Sequence, residues 1–344
     1  MRNARGIVLI LVLWVMMVLT VLAAELARSM RIEGLTTDVY QQDVATYYLA
    51  TAGLHRALYT ILRAQQQGQN ALTAGGAFGQ QRFGAFGGGQ STGAPGQQEE
   101  EEVDVWVRGD GRWKKEEFGE GGYWVRVLDE GGKINLNAVD EGYLRQTFAN
   151  LKFDMEFSQL IVDTIQDWRD SDSLVRLHGA ENDYYLALPI PYPAKDGFFH
   201  TPEELLLVRG ITPALFYGRE GPALRELFTV YSGGGNGVNL LTASPLVLQA
   251  ATGMDPQMIP ELIQRRNEAR GANLGSLFSA GAGGGAVNFG LPQIVTIESI
   301  GYRNDGDITR RVAAVVQKLG VNSFRFLRWQ DRVEGGESLP QSEG

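Results

Sequence analysis

Residues Ile7 to Ala24 read IVLILVLWVMMVLTVLAA, an unbroken apolar run in which Thr20 is the only polar side chain. As a helix these 18 residues span about 27 Å, close to the hydrocarbon thickness of a bilayer. Arg2 and Arg5 precede the run, which favours a cytoplasmic tip, although Arg28 and Arg31 on the far side weaken that bias. A cleaved secretory signal, with Val21-Leu22-Ala23 as its cleavage site, and a plain single-span anchor both fit this region alone. The sequence beyond Ala24 argues against removal. From Glu25 to Ala64 there is no proline and only Gly34 and Gly53. Apolar residues recur there at helical spacing, in one set of Ala45, Tyr48, Leu49 and Ala52 and another of Leu54, Leu58, Ile61 and Leu62. The pattern predicts one helix over 7–64, about 87 Å long at 1.5 Å per residue.

Outward from this helix, the composition sets bounds. The chain has 344 residues, 31 basic and 40 acidic side chains for a net charge of −9, and no cysteine. Those counts exclude a disulfide-stapled scaffold, a thiol nucleophile, a cysteine zinc site and a strongly basic nucleic-acid binder. With 44% hydrophobic and 21% charged residues the chain is globular in class and long enough for a substantial core. The 44 glycines, about 13% against a usual figure of roughly 7%, are clustered and mark loops. Residues 65–102 join a Gly/Gln-rich stretch carrying Phe78, Phe83 and Phe86 to the acidic run Glu99–Glu102.

Strand signals begin at Val103, Val105 and Val107, alternating with Asp104, Trp106 and Arg108. They continue through Tyr123, Val125 and Val127, then the turn Asp129-Glu130-Gly131-Gly132 and Ile134-Asn135-Leu136. A matching set lies near the carboxyl end, where 294–302 and 308–316 flank Asn304-Asp305-Gly306-Asp307, with 324–329 after them. The expected class is α+β: a small antiparallel sheet formed by 103–137 and 291–330, interrupted by a helical insertion over 138–290 and ending in a polar tail, 331–344.

The insertion repeats itself. Residues 134–140, INLNAVD, resemble 238–244, VNLLTAS, at an offset of 104, with Asp140 and Ser244 both placed as helix N-caps. Thr201-Pro202-Glu203-Glu204 is a capping box, and Gly210-Ile211-Thr212-Pro213 echoes Gly253-Met254-Asp255-Pro256 as helix-hairpin-helix-like turns. Such turns often hold DNA phosphates on backbone amides. Here Thr212 and Asp255 break the Gly-hydrophobic-Gly pattern, and no cationic stripe accompanies them, so helix packing is the preferred reading.

The densest chemistry is Asp167-Trp168-Arg169-Asp170-Ser171-Asp172 and, a few residues on, Gly179-Ala180-Glu181-Asn182-Asp183-Tyr184-Tyr185. Carboxylates so close repel unless water screens them or a hard cation sits between them, and oxygen ligands on a bend are the type calcium takes. A solvated polar loop with N-cap aspartates is the alternative. No enzyme is expected, since His55, His178 and His200 are scattered and no Ser-His-Asp pattern or nucleophile elbow is present.

A basic leader ending in Arg5-Gly6, then an apolar run from Ile7 kept as half of a long helix, resembles the class III signal of type IV pilins and type II secretion pseudopilins. The resemblance implies that a prepilin peptidase cuts between Gly6 and Ile7 and methylates the new amine. The family's glutamate at the fifth mature position is here Leu11. A carboxylate there neutralises a neighbour's amine within the filament, and a subunit with no neighbour ahead of it would bury that charge unpaired. This departure, with the large periplasmic insertion, is similar to general secretion pathway protein K. So are Asp167-Trp168-x-Asp170-x-Asp172, Gly179-Ala180-Glu181-Asn182-x-Tyr184-Tyr185, Ile134-Asn135-Leu136-Asn137, Glu203-Glu204-Leu205-Leu206-Leu207-Val208 and a terminal Trp329.

That family implies a minor pseudopilin at the tip of the type II secretion pseudopilus, starting its assembly for export across the outer membrane. It would be anchored once in the inner membrane with the bulk of the chain in the periplasm. Expected partners are the minor pseudopilins I and J, H as a further one, the major pseudopilin and the prepilin peptidase, with no nucleic acid. The resemblance also implies calcium, for which the ligands taken are Asp170, Asp172, Glu181 and Asp183, and a filament-packing role for Leu11. A minor pilin of a type IV pilus and a membrane-anchored helix-hairpin-helix nucleic-acid binder are the alternatives.

Overall fold

The computed structural model describes residues 4–73 (side chains over 9–64), 106, 108–219, 221–231, 237–268, 287–288, 292–303, 308–320 and 323–333. The strand signals at 103–105 and 107, the acidic run, the Phe-bearing glycine stretch, the turn 304–307 and the tail from 334 lie outside them.

Helix α1, Ala4–Thr73, is one continuous element of 70 residues, about 105 Å long. It outruns the expected 7–64, because the Gln- and Ala-rich residues after 64 are good helix formers that the glycine count obscured. Every described side chain from 9 to 41 is exposed, and the helix is long and apolar enough there to cross a membrane. Burial begins at Thr46 and runs through Ala50, Gly53, Leu54, Ala57, Leu58, Ile61 and Ala64. The expected face through Ala45, Tyr48, Leu49 and Ala52 is therefore corrected by a rotation about the axis. Tyr48 is 67% exposed, and the small residues Thr46, Ala50 and Gly53 take the contact instead.

That contact is with a sheet. Strands β1 (Lys114–Phe118), β2 (Gly121–Asp129), β7 (Ile294–Arg303), β8 (Ile308–Lys318) and β9 (Phe324–Gln330) form five antiparallel strands in the order β1-β2-β7-β8-β9. Alternate residues Tyr123, Val125, Val127, Val295, Ile297, Val312, Ala314 and Val316 pack on the apolar stripe of α1. At roughly 25 cal/mol per Å² this burial is the main term holding helix to sheet. Two glycines set its depth. A Cβ on Gly301 would lie 2.6 Å from the Ala50 amide nitrogen and closer still to the Thr46 carbonyl oxygen, while one on Gly53 would strike Ser299 and Tyr123.

The expected strand is corrected at Trp106 and Arg108, the described residues of 103–108. Trp106 and Arg108 are helical, and the edge strand is Lys114–Phe118. Its sequence, KKEEF, carries no alternation because both faces are largely wet, as suits a charged edge that resists unwanted pairing.

Between β2 and β7 the chain leaves the sheet. In order come β3 (Ile134–Asn135), α2 (Glu141–Asn150), α3 (Met155–Arg169), α4 (Asn182–Leu186), a 3-10 turn (Pro202–Leu207), α5 (Pro213–Tyr217), α6 (Leu224–Leu227), β4 (Phe228–Thr229), β5 (Val238–Asn239), α7 (Pro245–Thr252), α8 (Ile259–Glu268) and β6 (Val287–Asn288). They surround their own core, which includes Leu144, Phe148, Ile161, Ile165, Leu205, Phe216, Leu227 and Val247. The repeat at offset 104 is real in three dimensions. β3 pairs in parallel with β4, and β5 with β6. Asp140 caps α2 by accepting from the Tyr143 amide, and Ser244 caps α7 by accepting from the Val247 amide.

The insertion is rooted at the end of β2. Asp129 and Glu130 are 5% and 3% exposed. One Asp129 oxygen accepts from the Gly131 amide at 2.9 Å, the other from Asn239 Nδ2 at 2.8 Å and Thr242 Oγ1 at 2.9 Å. Glu130 accepts from Lys133 Nζ at 3.0 Å, Thr296 Oγ1 at 2.6 Å and Thr229 Oγ1. Burial opposes ionisation of Glu130, but the Lys133 charge and the threonine hydroxyls outweigh it and hold its pKa below the ordinary value. A second tie is the ion pair Arg328–Glu203, 2.9 Å, from β9 to the 3-10 turn.

Replacing Gly301 with valine is expected to force α1 off the sheet. Urea unfolding of the full chain in detergent should lose roughly 3 kcal/mol or more, with the same change at exposed Gly34 costing under about 1 kcal/mol.

Candidate cation site

Helix α3 begins on Asp154, whose carboxylate accepts from the Glu156 and Phe157 amides, and buries Ile161, Val162, Ile165 and Trp168. Trp168 stacks edge-on against buried Tyr185 at 5.1 Å, fixing the end of α3 against the start of α4. Asp170 then leaves the helix in extended backbone, and Glu181 stands at the N-cap of α4 without capping it. These two breaks bring the acidic stretches together.

One carboxylate oxygen from each of Asp170, Asp172 and Glu181 lies within 4.8 Å of the other two. Two oxygens on one calcium ion, each at about 2.3–2.6 Å, stand no more than about 5 Å apart, so the trio fits a single ion. Glu181 is only 4% exposed, yet neither of its carboxylate oxygens has a hydrogen-bond partner, and Asp170 Oδ1 is likewise buried and unpaired. Uncompensated buried carboxylate oxygens are costly, and a hard cation is what they could bind. Burial, and then the charges of Asp167, Asp170, Asp196 and Asp172, push the Glu181 pKa up to about 7.

The remaining acidic residues divide. Asp167 is fully buried and structural: Arg176 Nη1 donates to its Oδ1 at 2.9 Å and the Arg176 amide to its Oδ2 at 3.2 Å. The same Nη1 reaches Asp170 Oδ2 at 2.5 Å, leaving Oδ1 free toward the trio. A side chain on Gly179 would collide with Asp167, its Cβ 2.7 Å from Cγ. Asn182 Oδ1 accepts from the Ala194 amide and so ties α4 to the next loop. Asp183 is not one of the three converging residues: at about 100° per residue, two positions along the α4 turn carry it away from Glu181. Sequence reading missed Arg176 and Asp196. Asp196 sits in left-handed backbone, φ 49°, within a Lys-Asp-Gly turn 24 residues beyond Asp172, and only that turn signature could have flagged it.

The other predicted positions lie elsewhere. Gly6 and Ile7 fall in the first turns of α1, and Leu11 is 60% exposed on it. At the hairpin turns, Thr212 accepts from the Leu215 amide and Asp255 from the Gln257 amide. The amides that would meet a phosphate are thus capped by the chain's own side chains.

An apolar helix that continues onto an antiparallel sheet, with an acidic-looped helical insertion rooted in that sheet, defines an α+β protein with one helix long and apolar enough to cross a membrane. Residues 128–219, which contain the acidic loops, match the family model "Type II secretion system (T2SS), protein K", first domain. That match covers about a quarter of the chain. It is 31% identical over 106 residues to the type II secretion system protein K of Pectobacterium carotovorum subsp. carotovorum, covering 26% of this chain. The chain aligns with about a third of that relative's length, 32%. A solved chain from the GspK-GspI-GspJ complex of the enterotoxigenic Escherichia coli type 2 secretion system is similar at 17% identity and a TM-score of 0.47, over 66% of this chain and 84% of that one.

Because the folded Glu181 holds its proton up to about pH 7 while the unfolded chain releases it near 4.5, the folded state binds more protons between those values. Ion-free stability should therefore fall as pH rises from 5 to 8. Thermal unfolding in chelator should show this slope for the native chain, a flatter one for Glu181→Gln, and a higher midpoint for the variant at pH 8.

Proposed function

We propose that this chain is a minor pseudopilin at the tip of a type II secretion pseudopilus, anchored in the inner membrane with its sheet and insertion in the periplasm. The observation that carries the reading is α1, whose side chains over 9–41 have nothing packed against them on a chain that bears the protein K domain. Up to Ala24 this helix is apolar all round, and such a helix needs lipid or other apolar helices about it. In the membrane that environment is lipid. In a filament it is the matching helices of other pseudopilins, of which I and J are the proposed neighbours. Leu11 in place of a carboxylate suits a subunit with no amine ahead of it to neutralise, and the insertion gives bulk that would stop a further subunit stacking above. Processing between Gly6 and Ile7, and then methylation, completes this reading.

Calcium is proposed at Asp170, Asp172 and Glu181, where it would supply positive charge that fastens the 170–181 loop to the start of α4. The support is the pair of unpartnered Glu181 oxygens and the oxygen-only donor set.

Intact mass of the chain from cells that hold a prepilin peptidase should show the loss of six residues and the gain of one methyl group. Cleavage near Ala23, or none, overturns the pseudopilin reading. For the ion, calorimetric titration of the full chain in detergent should give calcium binding that falls at least tenfold in Asp170→Asn combined with Asp172→Asn. Equal titration of both proteins overturns the site.

A further inference from the structure

The two repeated units of the insertion share a feature that their sequences do not advertise. In the first unit Arg169 Nη1 donates to the Leu136 carbonyl at 2.5 Å and Nη2 to the Val139 carbonyl at 2.6 Å. In the second, Arg266 Nη1 donates to the Leu240 carbonyl at 3.2 Å and the Ala243 carbonyl at 2.8 Å. Both carbonyl pairs are related by the offset of 104, whereas the arginines stand 97 apart, so the match is visible only in three dimensions. Each guanidinium fastens one helix of its unit, α3 or α8, to the turn just after β3 or β5. The turns are built alike, with Asn135 Oδ1 accepting from the Asn137 amide and Asn239 Oδ1 from the Leu241 amide.

The clamps differ in what lies beyond them. Arg169 is the last residue of α3, and the next residue is Asp170. Its Nε and Nη2 also hold Gln166 Oε1, at 3.2 and 2.8 Å, so the side chain is fixed from two directions. Arg266 lies inside α8, its Nε is buried without a partner, and the charges that reach it are those of Asp110 and Arg112. Resting on the proposed calcium site, we propose that Arg169 is a positioning residue for the ion: by locking the end of α3 onto the β3 turn it fixes where Asp170 and Asp172 emerge to meet Glu181. Arg266, the same device without an acidic loop after it, serves stability alone.

The duplication supplies the control. Methionine keeps the apolar stem of arginine but lacks the guanidinium, leaving two buried carbonyls unsatisfied, so Arg169→Met and Arg266→Met should lower the melting temperature of the full chain by similar amounts. Calcium titration of both variants in detergent should separate them. Arg169→Met is expected to weaken calcium binding roughly 10- to 100-fold, the usual effect of losing support behind a ligand, and Arg266→Met less than about twofold. Should Arg169→Met fail to fold, Arg169→Lys, which keeps the charge but not the fork, should still weaken binding at least threefold. Unchanged calcium affinity in the Arg169 variants, or equal losses in both units, overturns the proposal while leaving the ion site standing. Absence of calcium binding by the native chain removes both.

Discussion

The architecture depends on a buried acidic corner. Asp129 ends β2 and Glu130 follows it, and everything from there to β7 must leave the sheet and return to it. Two adjacent carboxylates at 5% and 3% exposure would be costly if unpaired. Here they accept bonds from both repeats of the insertion, through Thr229 beside β3 and through Asn239 of β5, and from Thr296 of β7 in the sheet. Lys318, at the end of β8, is buried nearby with its pKa drawn down to about 8 by burial, against the pull of the Asp129 charge. Removing one partner would strand a buried charge, so the corner holds insertion and sheet in one relative placement.

Much of this fold is legible in the sequence, for definite physical reasons. The strands at 294–302 and 308–316 can be read because buried β-branched residues such as Val295, Ile297, Val312 and Val316 are frequent there, while 324–329 shows as a short run rich in aromatic residues. The edge strand at 114–118 cannot, since a strand wet on both faces has no such pattern. The apolar face of α1 is misjudged because close packing selects Thr46 and Ala50 over larger neighbours, so size matters more than hydrophobicity. At the site, Asp170, Asp172 and Glu181 are found from local charge density, and local density has no means of separating them from Asp183. The role of Arg169 escapes notice because its partners are distant backbone carbonyls that any sequence supplies, and that of Arg176 because nothing local marks which cation pairs with Asp167 and Asp170.

The two repeats illustrate how one scaffold acquires different duties. Both present the same strand, asparagine turn, capped helix and arginine clamp. In the first, the chain beyond the clamp crosses acidic loops around unpaired Glu181 oxygens; in the second, Arg266 sits within a helix that continues to Glu268.

The close approach of α1 to β7 also has a mechanical consequence. With Gly301 seated against Thr46 and Ala50, and Gly53 against Ser299 and Tyr123, the helix cannot slide along the sheet without driving backbone into backbone. A pull or push along the 70-residue rod is therefore delivered to β7 as shear, carried by its ladder with β2 and β8. At Thr296 that load meets Glu130 and passes into the insertion. The helix and the sheet are thus keyed to each other by backbone contact as well as by apolar packing.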